Sequence, residues 1–150
     1  MSNLQFSISG ENVSETKFVG QTRQFTLTVD EPEALGGTDA YPNPVEYILA
    51  GFAGCINVVG HIVAKELGFK IKSLKIDVTG DLNPNRFLGA SKDERAGFNA
   101  IKLNLIPETD ASIEILAKWL EIVEDRCPVK DNLQNKTPIS IAVEKEYNVL

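Results

Sequence analysis

The segment Pro44–Leu67 constrains this chain more than any other. Asn43 suits a helix N-cap, Pro44 the first helical position, and Glu46 the third, where its side chain completes a capping box. Gly68 follows as a stop signal. Twenty-four residues of helix span about 36 Å. Ile48, Leu49, Phe52, Ile56, Val58, Val59, Ile62 and Val63 put apolar side chains on nearly every side. A helix apolar all round is a buried one. Gly51, Gly54 and Gly60 each weaken it by roughly 1 kcal/mol relative to Ala. That cost implies close packing of a second helix. One 150-residue chain has few helices with which to cover such a face, which predicts a dimer.

Around this helix the pattern predicts an α+β fold with mostly antiparallel sheet, as one domain over residues 1–150. Gln24–Asp30 alternates polar and apolar residues, as a half-buried strand does. Leu4–Ile8 and Lys17–Val19 read as earlier strands, and Gly36-Gly37 with Pro42-Asn43-Pro44 as a loop. Ile71–Thr79 and Gly97–Ile106 are strands on either side of a polar loop, Asp81–Ala96. Asp110 is placed to cap a second helix from Ala111 to about Asp125. Pro128–Leu133 reads as a short helix and Ile139–Val143 as a last strand.

The bulk numbers exclude several classes. A net charge of −6 and a pI near 4.8, with scattered lysines and arginines, exclude a nucleic-acid partner. No signal peptide is visible. The apolar stretch Tyr47–Val63 falls short of the roughly 20 residues of a membrane span. The expectation is a cytoplasmic protein with no membrane partner. In that compartment thiols stay reduced, so a cysteine pair is more often catalytic or metal-binding than structural.

The chain has two cysteines. Cys127 opens the predicted short helix, with Pro128 after it, so its sulfur would face unpaired backbone N–H groups. That setting stabilises a thiolate, with Arg126 and Lys130 as possible helpers. A capping residue without chemistry fits the same fragment equally well. Cys55 lies mid-helix among apolar residues, where a lone cysteine is ordinarily a small buried hydrophobe. If the fold brings the two together, they can cycle between dithiol and disulfide.

Other chemistries are weak. His61 is the single histidine, about 120° around the helix from Cys55, and reads as a partly buried packing or interface residue. Two cysteines and one histidine, with no CxxC, make a poor zinc site, so no metal or cofactor is expected. Trp119 reads as helix packing.

Asn43-Pro44-x-Glu46…Ala53-Gly54-Cys55, followed by Cys127-Pro128-Val129, resembles the superfamily of osmotically inducible protein C (OsmC) and organic hydroperoxide resistance protein (Ohr). Asp30-Glu31-Pro32…Gly36-Gly37, Gly97-Phe98 and Asn132-Leu133 add to the likeness, which runs from about Phe25 to Val143. The resemblance implies an OsmC-like fold in an intertwined homodimer, two long helices central, with strands of both subunits joined in sheets. It implies a peroxidatic Cys55 that becomes a sulfenic acid, a resolving Cys127, and an external dithiol reductant such as a lipoylated protein or small thiol. Phe52, Val58 and Ile48 would then favour organic, including lipid, hydroperoxides.

The chain also departs from the peroxidase pattern. Those members carry a glutamate ten residues before the first cysteine, paired with an arginine that holds the thiolate. Val45 occupies that position here. Glu46 stands nine before, as in an OsmC-like branch, and Arg23 is the one arginine ahead of the helix. Three readings follow from the sequence: a thiol-dependent hydroperoxide reductase, a protein binding an apolar small molecule, or a redox sensor.

Overall fold

In the computed structural model, which describes residues 2–145, three strands form an antiparallel meander: β1 (Ser9–Asn12), β2 (Phe18–Thr22) and β3 (Phe25–Val29). Phe18 pairs with Val29 and Thr22 with Phe25, so Arg23 and Gln24 form the tip of a tight hairpin. The first strand begins after the segment Leu4–Ile8 in which it was expected. Leu4, Phe6 and Ile8 are exposed instead. A strand persists through its ladder partner, and no strand pairs with that segment among the described residues.

Asp30 closes β3 and organises the loop that leads into the long helix. Its carboxylate is fully buried. It accepts the Thr38 amide at 3.2 Å, the Ala40 amide at 3.4 Å and the Thr16 hydroxyl at 3.4 Å, with the Thr38 hydroxyl also bonded to it. Lys17 Nζ lies 3.8 Å away. Bonding to the Thr38 hydroxyl, which outweighs burial, and to nearby backbone N–H groups holds this carboxyl well below its ordinary value near 3.8. A carboxyl depressed in the folded state stabilises the fold above its unfolded value and loses that contribution as pH falls. Urea midpoints should therefore fall as pH drops below about 3.8, and Asp30→Asn should flatten that acid limb. An unchanged limb would show that Asp30 does not set it.

The helix α1 runs Pro44–Glu66 with both capping-box bonds in place: the Glu46 amide to Asn43 Oδ1 at 2.9 Å, and the Asn43 amide to Glu46 Oε2 at 2.8 Å. Gly68 follows in the left-handed region at φ 81°, where a side chain is strained, and the Phe69 amide returns to the Ala64 carbonyl at 3.0 Å. At 23 residues α1 is long and apolar enough to cross a bilayer, because the helix outruns the Tyr47–Val63 stretch at both ends. Its buried stripe of Phe52, Ile56, Gly60, Val63 and Ala64 is that of a core helix.

The strands β4 (Ser73–Leu82) and β5 (Phe98–Glu108) form a separate antiparallel pair, from Ser73 opposite Glu108 to Leu82 opposite Phe98. Leu74, Ile76 and Val78 of β4 turn toward the core while Lys75, Asp77 and Thr79 face water. The helices α2 (Ile113–Arg126) and α3 (Pro128–Gln134) follow. Ser112, not Asp110, caps α2, because its hydroxyl reaches the Ile115 amide at 3.3 Å. Trp119 of α2 is buried on α1, its ring N–H bonded to the Gly60 carbonyl at 2.8 Å. A β-carbon at Gly60 would meet that ring at 3.0 Å, so this glycine is where the second helix approaches closely.

Three expectations are not met within a single chain. The helix α1 is not buried all round there: Ile48, Val58 and Ile62 are exposed, and open space surrounds Gly51 and Gly54. A single chain covers one face of α1, with α2, α3 and β4. His61 is exposed too, its ring Nδ1 at 2.8 Å from the Asn57 carbonyl. Ile139–Val143 forms no strand, and Ile139, Ile141 and Val143 are exposed. Both outer edges of β4–β5 remain unpaired among the described residues.

Candidate active site

The fold brings the two cysteines together across 72 residues of sequence, with Cys127 Sγ 3.1 Å from Cys55 Sγ. Each is placed by its own element. Cys55 sits between the buried Phe52 and Ile56 of α1 and is half-buried. Cys127 is at once the C-cap of α2 and the N-cap of α3, and its side chain is fully buried in the core. Its sulfur accepts the Lys130 amide at 3.4 Å. Both thiols are free.

Burial pushes the Cys55 thiol above its ordinary value. Cys127 pushes it the same way, because two thiolates this close repel, and the Val129 backbone N–H pulls against both. Cys127 Sγ donates a hydrogen bond to Cys55 Sγ. The sulfurs are about 1 Å from the ~2.05 Å of a covalent disulfide.

The cations flanking Cys127 are otherwise engaged than its sequence setting implies. Arg126 makes a two-pronged pair with Glu66 of α1, at 2.5 and 3.1 Å. Lys130 Nζ is 3.0 Å from Glu124 of α2. Neither carboxylate was identifiable from sequence, because Glu66 lies 60 residues from Arg126 and Glu124 stands across a helix break from Lys130. Glu46 directs its carboxylate to the capping box, at the exposed start of α1. Nine residues of helix put its backbone roughly 13 Å along the axis from Cys55. Arg23 is exposed at the β2–β3 tip, in the left-handed region at φ 51°, with its guanidinium 4.9 Å over the Phe25 ring. Neither Glu46 nor Arg23 bonds to a cysteine of the same chain among the described residues.

The elements α1, β5, α2 and α3 enclose an open cleft of about 940 Å³, whose wall includes Phe52 and Ile56, on either side of Cys55 in α1, but neither cysteine. Ile48, Phe52, Ile56, Phe98, Trp119 and Leu133 supply apolar walls, and Arg95, Glu124, Lys130 and Asn132 supply polar groups. Val58, expected beside Ile48 and Phe52, instead faces outward on α1. Among the described residues no group of His, Cys, Asp and Glu is arranged to hold a metal ion.

A long helix beside a two-stranded antiparallel sheet, carrying one thiol against a second at a helix junction, defines a two-cysteine α+β protein. The chain belongs to the OsmC-like protein family, whose sequence model matches residues 37–142. It is similar in structure to an OsmC-like protein from Mycoplasma pneumoniae, with TM-score 0.77, 22% identity and coverage of 89% of each chain. It is also similar to an organic hydroperoxide resistance protein from Elizabethkingia anophelis, with TM-score 0.65, 17% identity and coverage of 89% of this chain and 90% of that one. A third similar structure is an organic hydroperoxide resistance protein OsmC from Legionella pneumophila, with TM-score 0.63, 17% identity and coverage of 89% and 92%. No curated protein sequence matches the chain significantly.

Proposed function

We propose that this protein reduces organic hydroperoxides through a Cys55–Cys127 dithiol cycle. The observation that carries this reading is the 3.1 Å separation of two free thiols. Cys55, the more accessible of the two, attacks the distal peroxide oxygen as a thiolate. The O–O bond breaks, the alcohol leaves with a proton, and Cys55 holds the sulfenic acid. Cys127 then displaces water from that sulfur and closes the disulfide. An external dithiol, either a lipoylated protein or a small thiol, takes up the oxidation and restores both cysteines. Overall, one hydroperoxide and one dithiol give one alcohol, one water and one disulfide. A reducing compartment such as the cytoplasm suits this cycle.

The apolar cleft favours an organic over a purely aqueous peroxide, since its walls reward burial of hydrocarbon. The same cleft supports a second reading, in which the protein holds an apolar small molecule and its thiols are idle. Peroxide consumption in the presence of dithiothreitol or a lipoylated protein separates the two: turnover supports the cycle, and a co-purified apolar ligand without turnover supports binding.

A homodimer belongs to the proposal. Exposed Ile48, Val58 and Ile62, the open space at Gly51 and Gly54, and the unpaired alternation of Ile139, Ile141 and Val143 all support a second copy as their cover. In this reading the second chain brings Arg23 toward the dithiol, and Glu46 fixes the start of α1 against it. Light scattering at micromolar concentration should return twice the 16.4 kDa chain mass. A stable monomer would remove the dimer and these roles for Arg23 and Glu46.

A further inference from the structure

We infer that Lys130 is a thiolate-stabilising cation carried within the same chain, and that Glu124 restrains it. The inference rests on the dithiol reading above, but its test does not need peroxide. Lys130 stands on the first turn of α3, and its own amide touches Cys127 Sγ at 3.4 Å. Its side chain, three residues on from the helix-capping Cys127, is 22% exposed and lines the cleft together with Glu124. In the resting geometry its ammonium is committed to Glu124, 3.0 Å away on α2. The flexible four-carbon stem lets that ammonium leave Glu124 without moving the helix.

The surrounding charges make Lys130 the free variable. On α2, Glu121, Glu124 and Asp125 line one groove with it, so its partner side is acidic. Arg126, the other neighbouring cation, is fixed by both oxygens of Glu66 on α1. On α3, Asp131 is exposed at the following position. From α1 the group in contact with Cys127 is Cys55 itself. Arg95 enters the cleft from the segment before β5. A positive charge freed beside the Cys55–Cys127 pair favours its ionised form. Glu124 is then a positioning residue, which sets how much of that charge the sulfurs feel.

The test is the pH dependence of iodoacetamide alkylation of the reduced full-length protein, read at each cysteine by mass spectrometry. Glu124→Gln should lower the first alkylation midpoint by about half a pH unit, roughly a threefold gain in thiolate below it. Lys130→Met should raise that midpoint, and Lys130→Arg should restore it. The double variant should follow Lys130→Met, because Glu124 acts through the lysine. Equal gains from Glu124→Gln with and without Lys130 would overturn the inference, since the carboxylate would then act directly on the sulfurs. An unmoved midpoint in Lys130→Met would overturn it as well. If Lys130→Met does not fold, Glu124→Gln decides: no change or an upward shift sinks the idea. A protein inert to peroxide that still shows these shifts would overturn the peroxidase reading and leave this one standing.

Discussion

Replacing Cys55 by serine should lower dithiol-dependent hydroperoxide turnover by at least about a hundredfold, because a hydroxyl at that position supplies no comparable nucleophile. Cys127→Ser should behave differently. Its Cys55 still attacks one peroxide, so a single oxidation should appear as sulfenic acid trapped by dimedone. Without an adjacent thiol at 3.1 Å, that species persists and slides to sulfinic acid under excess peroxide. The split between the variants carries the assignment. If Cys127→Ser loses the first oxidation and Cys55→Ser keeps it, the roles are reversed. If both retain full turnover, the dithiol is not the site.

Trp119→Ala should be the most damaging single change to the fold. The indole is 2% exposed, stands edge-on to Phe69 and donates to the Gly60 carbonyl. Removing a buried tryptophan opens a cavity that costs about 3–5 kcal/mol. It also leaves a helix carbonyl facing that cavity. At this chain length the change lowers the melting temperature by roughly 10 °C. Trp119→Phe keeps most of the volume and loses the donor, so it should cost about 1–3 kcal/mol. Urea unfolding checks both values. A loss under about 1 kcal/mol for Trp119→Ala would mean that α2 does not anchor on Gly60.

The sequence is most legible where the determinants are local. Asn43, Pro44, Glu46 and Gly68 announce the ends of α1 within one turn of each end, and the structure places them so. The alternation in β4 likewise marks its buried face. The placement of Cys127 at the start of α3 follows from the same kind of signal. Determinants that lie elsewhere in the fold are not legible. The pairing of Arg126 with Glu66 and of Lys130 with Glu124 depends on how α1, α2 and α3 cross, so the two cations read as helpers of Cys127 from sequence alone. Asp30 stood out as part of a family motif, but its buried bonds to the Thr38 loop follow from tertiary folding. The segments Leu4–Ile8 and Ile139–Val143 carry strand-like alternation without forming strands, because alternation specifies a face and the partner must come from elsewhere.

The contact between Cys55 and Cys127 is the central claim, and its chemistry can be read directly. The reduced protein is treated with one equivalent of an organic hydroperoxide, quenched, and digested without reductant. The account predicts loss of two hydrogens from the intact mass and one cross-linked peptide joining Cys55 to Cys127. Cysteines that stay reduced, or that oxidise independently to sulfinic acid, would contradict it.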